Sequence, residues 1–416
     1  MHKFELPADL LPALGRAHGT PFWLYDAATI RGRLSALKVF DHVRFAQKAN
    51  SNVHLLRLLQ AEGAWVDAVS AGEIVRALKA GYDNRGGRDE IVFTADVLTR
   101  EVIELVKAHR IPVNAGSVDM LQQLGHAAPG HRVWLRINPG FGHGHSQKTN
   151  TGGEHSKHGI WHGELAQALA VLKAGGLSLA GLHMHIGSGV DYGHLLQVCD
   201  AMVALADQVI DAGFDVPAIS AGGGLSIPYR EGDPAIDVAH YFGLWDAARS
   251  RIAARTGRPV LLELEPGRYL VAESGLLVAE VRAIKSMGRQ RFVLVDAGFN
   301  DLMRPAMYGA HHAITAIDAL GRPVTGDTQP VVVGGPLCES GDVFTQGEGG
   351  TVLPRELPAA LKVGDLLVFH DAGAYGASMS SNYNSRGLLP EWLWDAGEAK
   401  LIRRRQTIDD LLALEL

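Results

Sequence analysis

Between Val43 and Arg268 the chain alternates short apolar runs with longer amphipathic ones, a pattern that restricts it to βα units feeding a parallel sheet. The apolar runs fall at 43–46, 65–69, 91–94, 112–114, 133–137, 179–183, 218–220 and 260–264. That is about the eight strands that close a TIM (β/α)8 barrel. Amphipathic stretches at 53–62, 71–80, 101–109, 164–174, 195–212 and 241–256 are the expected helices. Gly63, Gly81, Gly175, Gly213 and Gly257 lie just past several of them, where a left-handed cap favours glycine. No residue-level repeat accompanies the alternation, so the periodicity is architectural.

After Ala272 the texture changes to β-branched runs separated by glycine and proline, at 276–284, 292–295, 313–317, 330–333 and 365–369. An all-β C-terminal domain is the expectation there, giving an α/β fold class overall. The stretch 140–159, rich in Gly, His, Ser and Thr, is too long for a plain βα loop. Long ordered loops on a barrel's C-terminal rim are often lids, and a disordered excursion is the other reading.

Composition narrows the function. With 416 residues and 47% hydrophobic content the chain can bury at least one large core and is long enough for two domains. Its 39 Lys and Arg against 45 Asp and Glu give a net charge of -6, which argues against a nucleic-acid surface; the basic run Arg403-Arg404-Arg405 reads as a solvated or interdomain face. Cys199 and Cys338 are too few for a disulfide framework, no apolar run is long enough for a membrane helix, and the first residues lack a signal-peptide core. A cytoplasmic protein with no membrane partner is expected.

Several short motifs carry chemistry. Lys48 ends the apolar run that starts at Val43, where desolvation by Phe45, Ala46 and Ala49 would favour the unprotonated amine that attacks an aldehyde; a surface lysine is the bland reading. Gly222, Gly223 and Gly224 follow a strand near the corner where barrels bind phosphate, although a tight turn would use the same residues. Glu265, just past the last barrel strand, could hold a proton on a pyridine nitrogen, and Arg268 after Pro266 and Gly267 could fork onto a phosphate or carboxylate. A structural ion pair is the alternative. His183 and His185 alternate, so on a strand they share a face; further ligands for a metal are lacking, and stacking of one histidine on a flat ring is preferred, with no metal expected. Cys338, in a Gly-rich turn with Glu339 and Asp342, is a candidate proton donor, whereas Cys199 inside a helical run reads as packing.

Taken in order from Gly19 onward, these segments resemble the fold-type III, alanine racemase-like pyridoxal phosphate enzymes, and among them the decarboxylases that act on meso-diaminopimelate. Phe45-Ala46-Gln47-Lys48-Ala49-Asn50 is similar to the family's cofactor-lysine motif and His185 to its ring-stacking histidine. Ser188 with Gly222, Gly223 and Gly224 resembles the phosphate site, and Glu265-Pro266-Gly267-Arg268 the family signature. The run from Asn300 to Tyr308, Cys338-Glu339-Ser340-Gly341-Asp342 and Gly373-Ala374-Tyr375 are similar to the segments that bind substrate and donate the proton. Gly387, where many relatives carry proline, is the one departure.

The resemblance implies pyridoxal 5'-phosphate as cofactor, a barrel over 27–272, and a β-rich domain made from 1–26 and 273–416. It implies a homodimer with shared active sites, in which Lys48 and Cys338 are catalytic. His185, Ser188, the three glycines, Glu265 to Arg268 and Tyr375 would hold the cofactor. Arg268, Arg304, Tyr308, Glu339 and Tyr375 would hold the substrate. The implied reaction is decarboxylation of meso-2,6-diaminopimelate to L-lysine and carbon dioxide, the last step of lysine biosynthesis. A substrate that is zwitterionic at both ends suits a site joining Arg268 and Arg304 with Glu339, and a buried unpaired arginine disfavours a plain diamine precursor. Another decarboxylase or a racemase of the same fold, or a silent cofactor-binding protein, are the alternatives.

Overall fold

A computed structural model describes residues 4–142, 152–185, 187 and 191–415 of the chain. They fall into two compact units. One comprises Arg31–Ser226 and Ala235–Leu270, the other Met1–Ile30, Ile227–Pro234 and Val271–Leu416.

Strand β1 (Phe22–Asp26) belongs to the second of these, and the barrel begins with β2 (His42–Ala46). It continues through β3 (Trp65–Ala68), β4 (Ile91–Ala95), β5 (Val113–Ala115), β6 (Arg132–Asn138), β8 (Ser178–His183), β9 (Ala218–Ser220) and β10 (Leu261–Leu264), with the two-residue β7 (Ile160–Trp161) attached to β6. All pairings are parallel. The order β5-β4-β3-β2-β10-β9-β8-β6 returns to β5, where Val113 stands opposite Val133, so the sheet closes into the expected barrel. Across the β2–β10 seam the buried Arg44 guanidinium pairs with Glu263, Nη2 to Oε1 3.1 Å.

These strands are short, almost wholly buried runs because helices cover their outer faces. Side-chain caps set where those helices start: Asn52, Ser70, Thr99, Ser117, Asp191 and Asp237 each accept a backbone N–H from two or three residues on. Gly81 and Gly257 take the expected left-handed caps. Gly175 does not: its φ is -78°, and Gly176 at φ +63° makes the turn instead. Gly175 has a different task, since a Cβ there would lie 3.0 Å from the Gly125 Cα of the neighbouring helix.

The second unit is a mixed sheet around β1 and β11 (Gly275–Met287). β1 runs antiparallel to β11 and parallel to β17 (Glu391–Asp395), which turns back into β18 (Glu398–Arg403). β12 (Gln290–Val295), β14 (Thr328–Gly334) and β15 (Arg355–Pro358) extend from β11 on one side, and β16 (Leu366–Phe369) joins β11 to β13 (Ile314–Ile317). Helix Leu10–His18 packs Leu11 and Leu14 onto Phe22, Leu24, Val278 and Trp392. Each arginine of the basic run has a partner within this unit: Arg403 pairs with Glu391 at 2.8 Å, Arg404 with Asp410, and Arg405 donates to the Pro21 carbonyl. Among the described residues no helix is long and apolar enough to cross a membrane.

Candidate active site

In the barrel unit the chemistry-bearing residues collect where the strands end. Lys48 lies in the single turn Gln47–Ala49 that follows β2, with its side chain exposed and Gln47 and Ala49 buried on either side. The Ala46 N–H donates to the Pro266 carbonyl at 3.1 Å, so the lysine's strand is tied directly to the turn after β10. That turn is tied in turn to the glycines, because the Glu265 N–H donates to the Gly222 carbonyl at 2.8 Å.

The glycine triplet follows β9 as expected, and its lack of side chains is used at every position. A Cβ on Gly222 would lie 2.6 Å from the His185 Cβ, one on Gly223 2.7 Å from the Glu265 carbonyl oxygen, and one on Gly224 2.6 Å from the Gly187 carbonyl oxygen. Gly222 and Gly224 also have φ of +62° and +104°. Three loop backbones can therefore meet here at closest approach. The Gly223 N–H donates to His185 Nδ1 at 3.2 Å.

The electrostatics follow from burial and neighbours. Burial by itself would raise the Glu265 carboxyl, but His183 donates Nε2–H to its Oε2 at 2.8 Å and, with Arg44 and His185, holds it below the usual carboxylate range. Ser220 Oγ donates to the other oxygen at 3.3 Å. Asp67, at the end of β3, goes the opposite way: burial first, then the Glu265 charge, raise it well above an ordinary aspartate. The His185 imidazole is pushed far down by burial, then by Arg136 and Lys48, and stays neutral at physiological pH.

His183 and His185 do not act as a pair. β8 ends at His183, so the alternation stops there, and the two rings face different partners, Glu265 and the Gly223 amide. Ser188 lies outside the described residues, as do 143–151 of the long loop 140–159. The described ends of that loop are clasped by Asn138, whose Oδ1 accepts from the Gly140 and Gly153 N–H groups while Nδ2 donates to the Gly153 carbonyl. Arg268 opens the short helix Arg268–Val271.

In the β unit, Arg304 is buried at the start of helix Arg304–Tyr308 and Tyr308 ends it half-buried. Cys338 and Glu339 are exposed in a turn held by Asp342, which accepts from the Leu337 and Phe299 N–H groups at 2.8 and 2.7 Å. The Cys338 N–H donates to Asn384 Oδ1 at 3.1 Å. Tyr375 has a left-handed φ of +57°, a strained conformation for a side-chain-bearing residue of the kind found at ligand sites. Gly373 before it permits close approach, since a Cβ would lie 2.0 Å from the Val271 carbonyl oxygen. Cys199, by contrast, is buried in helix Tyr192–Asp211, and burial pushes its thiol up to about 12.

The sequence model of the pyridoxal binding domain of pyridoxal-dependent decarboxylases matches residues 28–272. The chain belongs to the pyridoxal-dependent decarboxylase family. It is 63% identical over 413 residues to a diaminopimelate decarboxylase of Escherichia coli (strain K12), covering 99% of this chain and 97% of that one. The Streptomyces coelicolor diaminopimelate decarboxylase is 63% identical over 411 residues, covering 99% and 92%. A crystal structure of a diaminopimelate decarboxylase superposes with a TM-score of 0.95 at 63% identity, covering 99% of this chain and 97% of that one. The Helicobacter pylori diaminopimelate decarboxylase complexed with L-lysine superposes at 0.85 with 33% identity, covering 97% and 98%.

Within this decarboxylase fold, sequence reasoning missed His183, Ser220, Asp67 and Arg136 as site residues. Each stands on a barrel strand at or near its C-terminal end. The position could have flagged them, because polar residues buried at that rim of a barrel have few structural reasons to be there. His183 was visible in the sequence, but its partner lies 82 residues away.

Proposed function

We propose that this protein removes carbon dioxide from meso-2,6-diaminopimelate to leave L-lysine, using pyridoxal 5'-phosphate held at Lys48. The observation that carries the reading is Glu265, a buried carboxylate kept ionised by His183 on the strand end tied to the lysine's own strand. The residues fit the cofactor: an amine, a flat neutral imidazole in His185, an anion for a pyridine nitrogen and a glycine triplet with no side chains in the way. Relatives at 63% identity over nearly the whole chain, named diaminopimelate decarboxylases, support the substrate.

When bound, pyridoxal phosphate supplies the electron sink that lets an α-carboxylate leave as carbon dioxide. Lys48 would anchor it, and Gly222, Gly223, Gly224, Ser188, Arg268 and Tyr375 would help to hold it. His185 would offer a flat neutral ring for stacking, and Glu265, with Pro266 and Gly267 shaping its turn, would favour a proton on a pyridine nitrogen. Arg304, Tyr308, Glu339, Arg268 and Tyr375 bind the substrate and distinguish a distal carboxylate and ammonium from a bare amine. Cys338 delivers the proton that replaces the lost carboxylate.

We assign the cofactor domain to 27–272 and the β-rich domain to 1–26 with 273–416, and place the enzyme in the cytoplasm, which suits two unpaired cysteines. It works as a homodimer with shared sites, a reading supported by the exposure of Cys338 and Glu339 on the single chain.

The test is carbon dioxide release by purified protein from separated diaminopimelate stereoisomers, ornithine and L-lysine, with borohydride trapping. Release from the meso isomer at the highest rate and a pyridoxyl tag on Lys48 are expected. Faster turnover of ornithine or lysine would overturn the substrate, and an untagged Lys48 the cofactor assignment.

A further inference from the structure

We propose that His312 is a positioning residue for substrate selection: as a neutral imidazole it fixes the Arg304 guanidinium without cancelling its charge. This rests on the reading of Arg304 as the arm for the substrate's far carboxylate. Arg304 is 6% exposed and donates from Nη1 to His312 Nε2 at 2.9 Å. His312, 3% exposed, has its other nitrogen, Nδ1, 2.9 Å from the His370 backbone carbonyl oxygen. A carbonyl only accepts and a guanidinium only donates, so the proton sits on Nδ1 and the lone pair on Nε2 faces Arg304. The partners on both sides dictate one tautomer.

The support behind His312 is anchored to the sheet. The His370 N–H donates to the Ala313 carbonyl at 2.9 Å, one step beyond the β13–β16 ladder that pairs Ile314 with Phe369. On the other side the Tyr229 ring lies 4.9 Å from Arg304 Cζ and meets the His312 ring edge-on at 5.8 Å. A lone pair and an aromatic face thus both help to fix the guanidinium. A carboxylate in the place of His312 would orient the arginine equally well, but would neutralise it and compete with the incoming substrate carboxylate for its N–H fork. The neighbouring His311 takes a hydrogen bond from Arg355 in the same manner, and burial, then Arg355 and Arg230, push its imidazole down to about 4. Imidazole in the neutral form is the arginine partner on this face at two successive residues.

The test uses the holoenzyme and steady-state carbon dioxide release. His312→Asn keeps a donor for the His370 carbonyl but cannot reach Arg304, whereas His312→Gln can place a carbonyl oxygen there. In His312→Asn the KM for meso-diaminopimelate should rise about tenfold or more with kcat falling less than about threefold, and in His312→Gln it should stay within about threefold of the wild type. In an Arg304→Lys background His312→Asn should raise KM no further, because both changes remove one interaction. Borohydride tagging of Lys48 should persist in all variants. An unchanged KM in His312→Asn, equal effects of Asn and Gln, or multiplicative effects in the double variant would overturn the proposal. If Arg304→Lys leaves KM unaltered, the reading of Arg304 falls and the role of His312 with it. If Arg304→Lys raises KM and His312→Asn does not, only His312 is wrong. Wild-type enzyme that carries the tag yet releases nothing from the meso isomer would overturn the substrate reading instead.

Discussion

A carboxyl buried as deeply as Glu265 would ordinarily hold its proton, because burial disfavours the charged form. His183 reverses that through its charge and its hydrogen bond, helped by Arg44 and His185, while burial and then the Glu265 charge raise Asp67 instead. Two acids at strand ends of one barrel are thereby pushed apart, Glu265 downward and Asp67 upward, a pattern typical of acid–base sites. Asp301 shows the same physics in the β unit, where its pH consequence can be measured. It accepts from the Gly298 N–H at 3.0 Å and from Asn300 Nδ2 at 3.1 Å, yet burial raises its carboxyl to about 7. An unfolded aspartate ionises near 4. Between those values the native state binds the extra proton, so this group lowers stability as pH rises from about 4 to about 7, with no further loss above. Asp301→Asn does not titrate. Its melting temperature should gain on the wild type between pH 4 and pH 8, by an amount corresponding to a few kcal/mol at most. A difference that stays constant across that range would show that Asp301 is ionised throughout.

At the scale of elements, helix caps and glycines determine how closely the barrel can pack. Gly181 on β8 is a tight point of the wall: a Cβ there would lie 2.4 Å from Trp134 Cζ3 and 2.6 Å from the Ala218 carbonyl oxygen. Trp134 shares a buried cluster with Val92, Ala180 and Ala218, so it has no open side to move to. Gly181→Ala should cost about 1–3 kcal/mol, read as a lowered melting temperature, although alanine is otherwise the better strand residue. An unchanged melting point would mean the wall can yield. The same scale explains what the sequence made legible. All eight barrel strands were readable within one or two residues, because parallel strands covered on both faces are unbroken apolar runs. Strands β17 and β18 escaped notice: Glu391, Trp392, Leu393, Trp394 and Asp395 mix charge with bulk, and the buried Glu391 makes sense once Tyr25 OH at 2.7 Å and Arg403 are beside it. β1 was missed as a strand because its run of five residues has both strand partners more than two hundred residues away. The lysine, the glycines and Glu265 announced themselves as motifs, whereas His183 and His312 matter through partners that only the fold brings to them.

For the whole molecule the proposed homodimer poses the question of which chain supplies which half of the proposed chemistry. Lys48 belongs to the barrel unit and Cys338 to the β unit, and Cys338 stands exposed on a turn that Asp342 and Asn384 hold in shape without burying it. A proton donor that has to work away from water gains from being covered by something beyond its own turn, and in a two-fold dimer each chain can cover the other's. Subunit mixing decides this. Lys48→Ala and Cys338→Ala proteins, each inactive alone, should regain activity when denatured together in equal amounts and refolded with pyridoxal phosphate. If Cys338 works across the interface, half of the randomly assorted dimers are mixed and each has one site with both wild-type residues, so carbon dioxide release should reach about a quarter of the wild-type rate. If lysine and cysteine of one chain serve the same site, every site in every mixed dimer lacks one of them and no activity returns. Wild-type protein taken through the same denaturation must recover its activity for either outcome to be read. The quarter-activity result would also explain why the turn carrying Cys338 is braced by side-chain contacts within its own unit: it must keep its shape while reaching into another molecule.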